Sequence, residues 1–152
     1  MFEQVYDSIF RGFGVRMTVP AIIYIHYGAV HVITSIIGED HPDTLDINYI
    51  TEVMREYLED LQNVAINIEE QEPDRHLNVL IPMVGHRRNV YFDQEAQRYL
   101  NTLIVGMARG VITDAAKTIR EVRGGAGGEY ISPDDLEDGC RRVFREKGYF
   151  IC

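Results

Sequence analysis

Apolar residues recur at helical spacing through most of the chain. Ala96, Tyr99, Leu100, Leu103, Ile104, Met107, Val111, Ile112, Ala115 and Ile119 hold a 3.6-residue period for about seven turns, much longer than an average helix. Asp93 can cap that helix at its start. Arg120 and Arg123 suit the negative end of its dipole, and Gly124 to Gly128 is expected to stop it. Glu129-Tyr130-Ile131 reads as a brief extended piece. Ser132-Pro133-Asp134-Asp135 then opens another helix, with an N-cap hydroxyl, a proline at N1 and carboxylates in the first turn. Its apolar stripe is Leu136, Cys140, Val143 and Phe144. Ahead of the long helix, Asp74 to Val84 predicts a short helix carrying Leu77, Leu80, Ile81 and Val84, which Pro82 is expected to kink or end.

The first half shows the same order in shorter form. A short helix carries Val5, Ile9, Phe10 and Phe13, Gly14 to Met17 forms a loop, and a helix follows from about Thr18 to Ile37. This middle helix is expected to be about two turns shorter than its counterpart. Gly38 to Asp43 leads to Thr44-Leu45 as an extended piece. Asp46 then caps a third helix with Ile50, Val53, Met54, Tyr57 and Leu58, continuing through Leu61 and Val64. Val15 to Ala21 overlays Val90 to Ala96, and the register continues without a gap. Tyr24 falls on Tyr99, Ile25 on Leu100, Ala29 on Ile104, Val30 on Val105, Val32 on Met107, Ile36 on Val111 and Ile37 on Ile112. A repeat of this kind decides architecture before any motif does. It divides the chain into a first copy, 1–68, an acidic linker, 69–73, and a second copy, 74–152.

Short helix, loop, long helix, loop with a brief strand, short helix: this order resembles the histone fold. Tyr130 to Leu136 is similar to the histone segment in which a strand residue, a Ser/Thr cap and an acid lead into the third helix. Asn89 to Ile119 resembles the histone loop and central helix. The likeness covers residues 74–147 best and residues 2–62 more weakly. Taken whole, the chain resembles a histone doublet, two histone folds fused head to tail. That resemblance implies an all-α protein whose two histone folds pair antiparallel in one compact, pseudo-symmetric domain. A covalent link makes the partner intramolecular and removes the concentration dependence of pairing.

The resemblance also implies a DNA-associated architectural protein. In such a pair the first loop of one copy lies beside the second loop of the other, and duplex phosphates dock there. One edge would join Arg11 and Arg16 to Arg120 and Arg123. The other would set Arg87 and Arg88, with His86, against Asp40, His41 and Asp43, which partly cancel them. Helix N-termini near Thr18 and Asp93 would add backbone donors. Double-stranded DNA is the expected partner, with other histone-fold subunits or self-association beside it, in an intracellular setting with DNA.

Charge complicates this reading. The chain carries a net charge of −9 and no basic tail. Residues 1–72 hold 13 acidic side chains against three basic ones (Arg11, Arg16, Arg55), whereas residues 73–152 hold 11 against 12. Such a protein is not one that coats nucleic acid indiscriminately. The family commonly has an arginine in its second loop that pairs with an acid of the third helix. The first copy has no arginine there, and in the second Asp135 stands at the acid's place with Arg123 as a distant mate. The rival expectation is therefore an acidic histone-fold module that binds protein.

Other chemistry is sparse, and neither an enzyme nor a cofactor is expected. His26 and His31 fall about 140° apart on a helix, poor for chelation. Gly124 to Gly128 lacks the Gly-Lys-Ser/Thr ending of a phosphate loop. Cys140 on an apolar stripe reads as an inert core thiol, and a reducing compartment fits two cysteines without metal spacing. No apolar run is expected to approach the ~20 residues of a membrane span, and no membrane partner follows. The N-terminal residues lack the pattern of a secretory signal. Tyr149 to Cys152 is an apolar tail expected to dock on the body or on a partner.

Overall fold

Caps set most of the helix starts in the structure, a computed structural model that describes residues 1–123 and 129–145, Arg123 by its backbone alone. Among the described residues the order is α1 (Glu3–Phe13), β1 (Arg16–Met17), α2 (Val19–Ile37), β2 (Thr44–Leu45), α3 (Ile47–Val53), α4 (Arg55–Asn63), a 3-10 turn (Ile68–Glu70), α5 (Leu77–Arg87), β3 (Tyr91–Phe92), α6 (Gln94–Arg123), β4 (Tyr130–Ile131) and α7 (Pro133–Phe144). The protein is all-α, with four strands of two residues each among the described residues. Thr18 accepts from the Ala21 amide at 3.1 Å, Asp46 from Tyr49 at 2.9 Å and Asp93 from Ala96 at 2.7 Å. Ser132 and Asp135 form a reciprocal capping box at the start of α7. The glycine run and the apolar tail singled out above lie outside the described residues.

Two strands this short are not stable alone; here they tie the halves together. β1 pairs in parallel with β4, Arg16 opposite Tyr130, and β2 pairs in parallel with β3, Thr44 opposite Tyr91. Arg16 donates to the Glu129 carbonyl at 3.0 Å, and Tyr91 donates to the Asp43 carbonyl at 2.8 Å. Each half thus gives its first loop to the second loop of the other. The core lies between α2 and α6 and continues under α5 and α7. Most of the sequence register is matched in burial: Val15 and Val90, Ala21 and Ala96, Ile25 and Leu100, Ala29 and Ile104, Val32 and Met107, Ile36 and Val111 are buried in both halves, whereas Val30 is half-buried and Val105 buried.

The halves differ where local chemistry differs. α2 has 19 residues and α6 has 30, a gap of about three turns rather than two. The third helix of the first half breaks at Met54 into α3 and α4. Pro82 does not end α5, which runs on to Arg87. The carbonyl that proline leaves without its helical donor belongs to Asn78, and Gln97 of α6 donates to it at 3.2 Å. The residues leading into the acidic linker are docked on α6, and the linker itself is held at Gln71. Ile66 and Ile68 sit on Gly106, where an added Cβ would meet Ile66 at 3.3 Å, and Val64 and Leu61 sit on Gly110. Arg109 donates to Gln71 at 2.9 Å and to Ser8 at 3.3 Å, fastening α6 to both the linker and α1, while Glu69, Glu70 and Glu72 stay exposed.

Three further observations bear on the sequence expectations. α2 carries no Asp, Glu, Lys or Arg and is long and apolar enough to cross a membrane by length and composition. Against that, 44% of its most apolar stretch is buried inside this fold. Cys140 is fully buried as expected, but it is disulfide-bonded and not a free thiol. Asn101, fully buried in α6, accepts from the Asp74 amide at 2.7 Å and donates to the Asp74 carbonyl at 2.8 Å and to the Asn78 side chain at 2.9 Å. The Asp74 carboxylate in turn accepts from the Phe2, His76 and Leu77 amides.

Burial pushes the Tyr6, Tyr24 and Tyr57 phenols above the usual tyrosine range. Glu3 and Asp74 add to the effect at Tyr6, and Glu56 and Asp60 add to it at Tyr57. The folded state therefore favours the protonated phenols. Their contribution to stability is complete below about pH 10 and is lost as pH rises through the raised values. In an alkaline absorbance titration, Tyr6, Tyr24 and Tyr57 should ionise above the usual tyrosine range and unfolding should accompany them. A single transition at the value of free tyrosine, with the fold intact, would contradict the burial of these side chains.

Candidate nucleic-acid interface

The arginines of the first edge converge because three chain segments end there. Gly14 adopts a left-handed conformation (φ 67°) that closes α1, its amide donating to Phe10 at 2.8 Å. The chain can then turn directly into β1 beside β4. Arg120, from the last part of α6, reaches across and donates to the Phe13 carbonyl at 3.0 Å. Arg16 is exposed in β1, its guanidinium 4.4 Å from the centre of the Phe10 ring, a cation–π contact that restrains it. Tyr130, 52% exposed, stands opposite it in register. Arg11 is exposed on the last turn of α1, along a groove of about 950 Å³ that it shares with Arg75 and Arg109 and with the acids Glu3, Asp7 and Glu70. Arg123 ends α6, so its backbone belongs to this edge.

The second edge differs in sign. Arg87 and Arg88 are exposed at the end of α5, where cations suit the helix dipole. The pairing of β2 with β3 brings the loop bearing Asp40 and Asp43 to the same side, and Asp46 and Asp93 cap the two helices that start there. The helix N-termini differ in the same sense. The first turn of α2 holds no acid, whereas that of α6 holds Glu95 after the Asp93 cap. Phosphate would meet the acid-free start of α2 on the first edge, where α7 also starts but with Asp134 and Asp135 in its first turn, and would meet carboxylates at the start of α6 on the second.

No protein-family model, curated protein or solved structure matches the chain.

Of the six arginines singled out in the sequence, Arg16 and Arg120 are brought together, Arg11 lies on the adjoining helix, Arg123 ends α6 on the same edge by its backbone, and Arg87 and Arg88 form a separate group. Phe10 was read as part of a helix's apolar stripe, yet it is 44% exposed and serves as the platform for Arg16. Nothing in the spacing of Phe10 and Arg16 announces this, because the Gly14 turn creates the contact. Tyr91 and Tyr130 are both more than half exposed; the sequence marks Tyr130 only as part of a brief extended piece and Tyr91 only as part of the repeat.

Proposed function

We propose that this chain is a histone-fold doublet that binds the phosphate backbone of double-stranded DNA as an architectural protein, chiefly through the β1–β4 edge. The observation that carries this reading is the crossed pairing of loops. Each half gives its first loop to the second loop of the other, which sets Arg16 and Arg120 beside the acid-free N-terminus of α2. Backbone contacts of this kind position a protein without reading sequence. A net charge of −9 limits the affinity, and the β2–β3 edge adds little because its acids offset Arg87 and Arg88.

The reading makes a quantitative demand. Fluorescence anisotropy with a labelled duplex of about 60 base pairs should give roughly micromolar binding at low salt. A logarithmic salt slope of about −2 to −4 is expected if two to four phosphates are neutralised. Replacing Arg16 and Arg120 together by alanine should weaken binding about tenfold at low salt and flatten that slope by about two, equally for unrelated sequences. The Arg87→Ala, Arg88→Ala pair should have a smaller effect. Parent-like binding by the Arg16/Arg120 variant would reject the assignment. A second reading, an acidic histone-fold module that binds protein, is favoured by the 13-to-3 excess of acids in residues 1–72. It is the outcome if no duplex binds at low salt.

A further inference from the structure

α2 buries Ala21, Ile25, Ala29, Val32 and Ile33 in the core, yet its other face is apolar too. Val19 is 70% exposed, Ile22 38%, Ile23 48% and Tyr27 61%, and with His26 they form a stripe at helical spacing. Beside them a cleft of about 390 Å³ opens toward Met1 and Phe2, which precede α1, and Tyr6 of α1. That is room for one large apolar side chain. The other half of the chain shows that the fold does not require this face to be apolar. The positions of α6 in the same register are Gln94, Gln97, Arg98, Asn101 and Thr102, all polar. There Asp74 and Asn78 cover the central residue, Asn101.

We propose that this stripe docks an amphipathic helix of another protein, with apolar residues on one face and basic residues on its flanks. Size favours a helix. Four exposed apolar side chains in a row are too few for an ordinary stable interface, but enough for a helix laid in a groove with one anchor in the cleft. Charge chooses its flanks. The half of the chain that carries the stripe has 13 acids against three bases, and α2 itself has no charged residue. A second copy would bring the same negative field, and so would an anionic lipid surface; a lysine-flanked helix is drawn in. The proposal stands apart from the DNA reading, whose arginines lie on the strand edges.

The test uses the full chain and two labelled peptides of about 18 residues with identical leucines at i, i+3, i+4 and i+7, one flanked by lysines and one by glutamates. The lysine peptide should bind in the micromolar range and the glutamate peptide at least tenfold more weakly. Ile23→Ser with Tyr27→Ser, both at exposed positions, should cost the lysine peptide at least tenfold while leaving thermal unfolding and duplex binding as in the parent. Equal binding of the lysine peptide by this variant would overturn the proposal, and so would equal binding of the two peptides. Two other results would also overturn it by naming another occupant. One is a dimer in sedimentation that the double substitution dissolves; the other is binding to phosphatidylcholine vesicles that it abolishes.

Discussion

Phe144→Ala should lower the free energy of unfolding by about 3–5 kcal/mol, measured by urea denaturation of the full chain. Phe144 is the last residue of α7 and is fully buried. Its ring meets Tyr57 of α4 edge to face, with centroids 6.0 Å apart and an interplanar angle of 70°. Removing the ring loses the transfer free energy of a large side chain, leaves a cavity and cancels an aromatic pair worth about 1 kcal/mol. A domain of this size is stable by roughly 5–15 kcal/mol, so one substitution removes a large share. Val122→Ala, at a position 78% exposed, should change stability by less than about 0.5 kcal/mol and serves as the control. A loss below about 1 kcal/mol for Phe144→Ala would mean that α4 and α7 do not close on each other through this side chain.

Asn101→Leu should cost about 2–5 kcal/mol although leucine is nearly the same size and more apolar. The amide of Asn101 satisfies both the amide and the carbonyl of Asp74 and also holds Asn78. Leucine would strand these partners, and each buried polar group left unsatisfied costs about 1–3 kcal/mol. The effect should be local as well as global. Asp74 anchors the Phe2 amide through its carboxylate, so the amide protons of Phe2, Leu77 and Asp74 should exchange faster in the variant even where the global stability remains sufficient. A neutral or stabilising result would show that this buried network is not formed in solution.

The parts of the fold that were legible in the sequence are those governed by local chemistry. Asp93, Asp46 and Ser132 cap helices where side-chain spacing said they should, and the long apolar period marks all of α6 but about its last turn and a few residues at its start. Where tertiary partners override local preference, the sequence misleads. Pro82 sits within a continuing helix because Gln97, from another element, takes up the carbonyl it orphans. Residues 69–73 read as an acidic linker because glutamates dominate their composition, which gives no sign that Gln71 holds Arg109. Ile66 and Ile68, just ahead of it, find seats because Gly106 and Gly110 leave two hollows on α6. The candidate interface was legible in part. Helix-end arginines can be picked out by position, and the resemblance to a histone doublet implies which loops should meet. The restraint of Arg16 by Phe10, and the engagement of Arg120 by the Phe13 carbonyl, depend on a single left-handed glycine turn and could not be read in advance. Nor could the apolar outer face of α2, because its inner and outer residues are chemically alike and periodicity cannot separate them.

The crossed strand pairs also set the order in which this protein can fold. Arg16 finds Tyr130 only after most of the chain exists, and Thr44 must wait for Tyr91. As the chain leaves the ribosome, the first half emerges with Ile25, Ile33 and Ile36 of α2 and no opposite helix to cover them. Closing the long loop between β1 and β4 costs chain entropy before it returns any contact, so the helices should form early and the junctions last. Neither half is then a folding unit. During synthesis an unusually apolar helix stands open until its successor arrives.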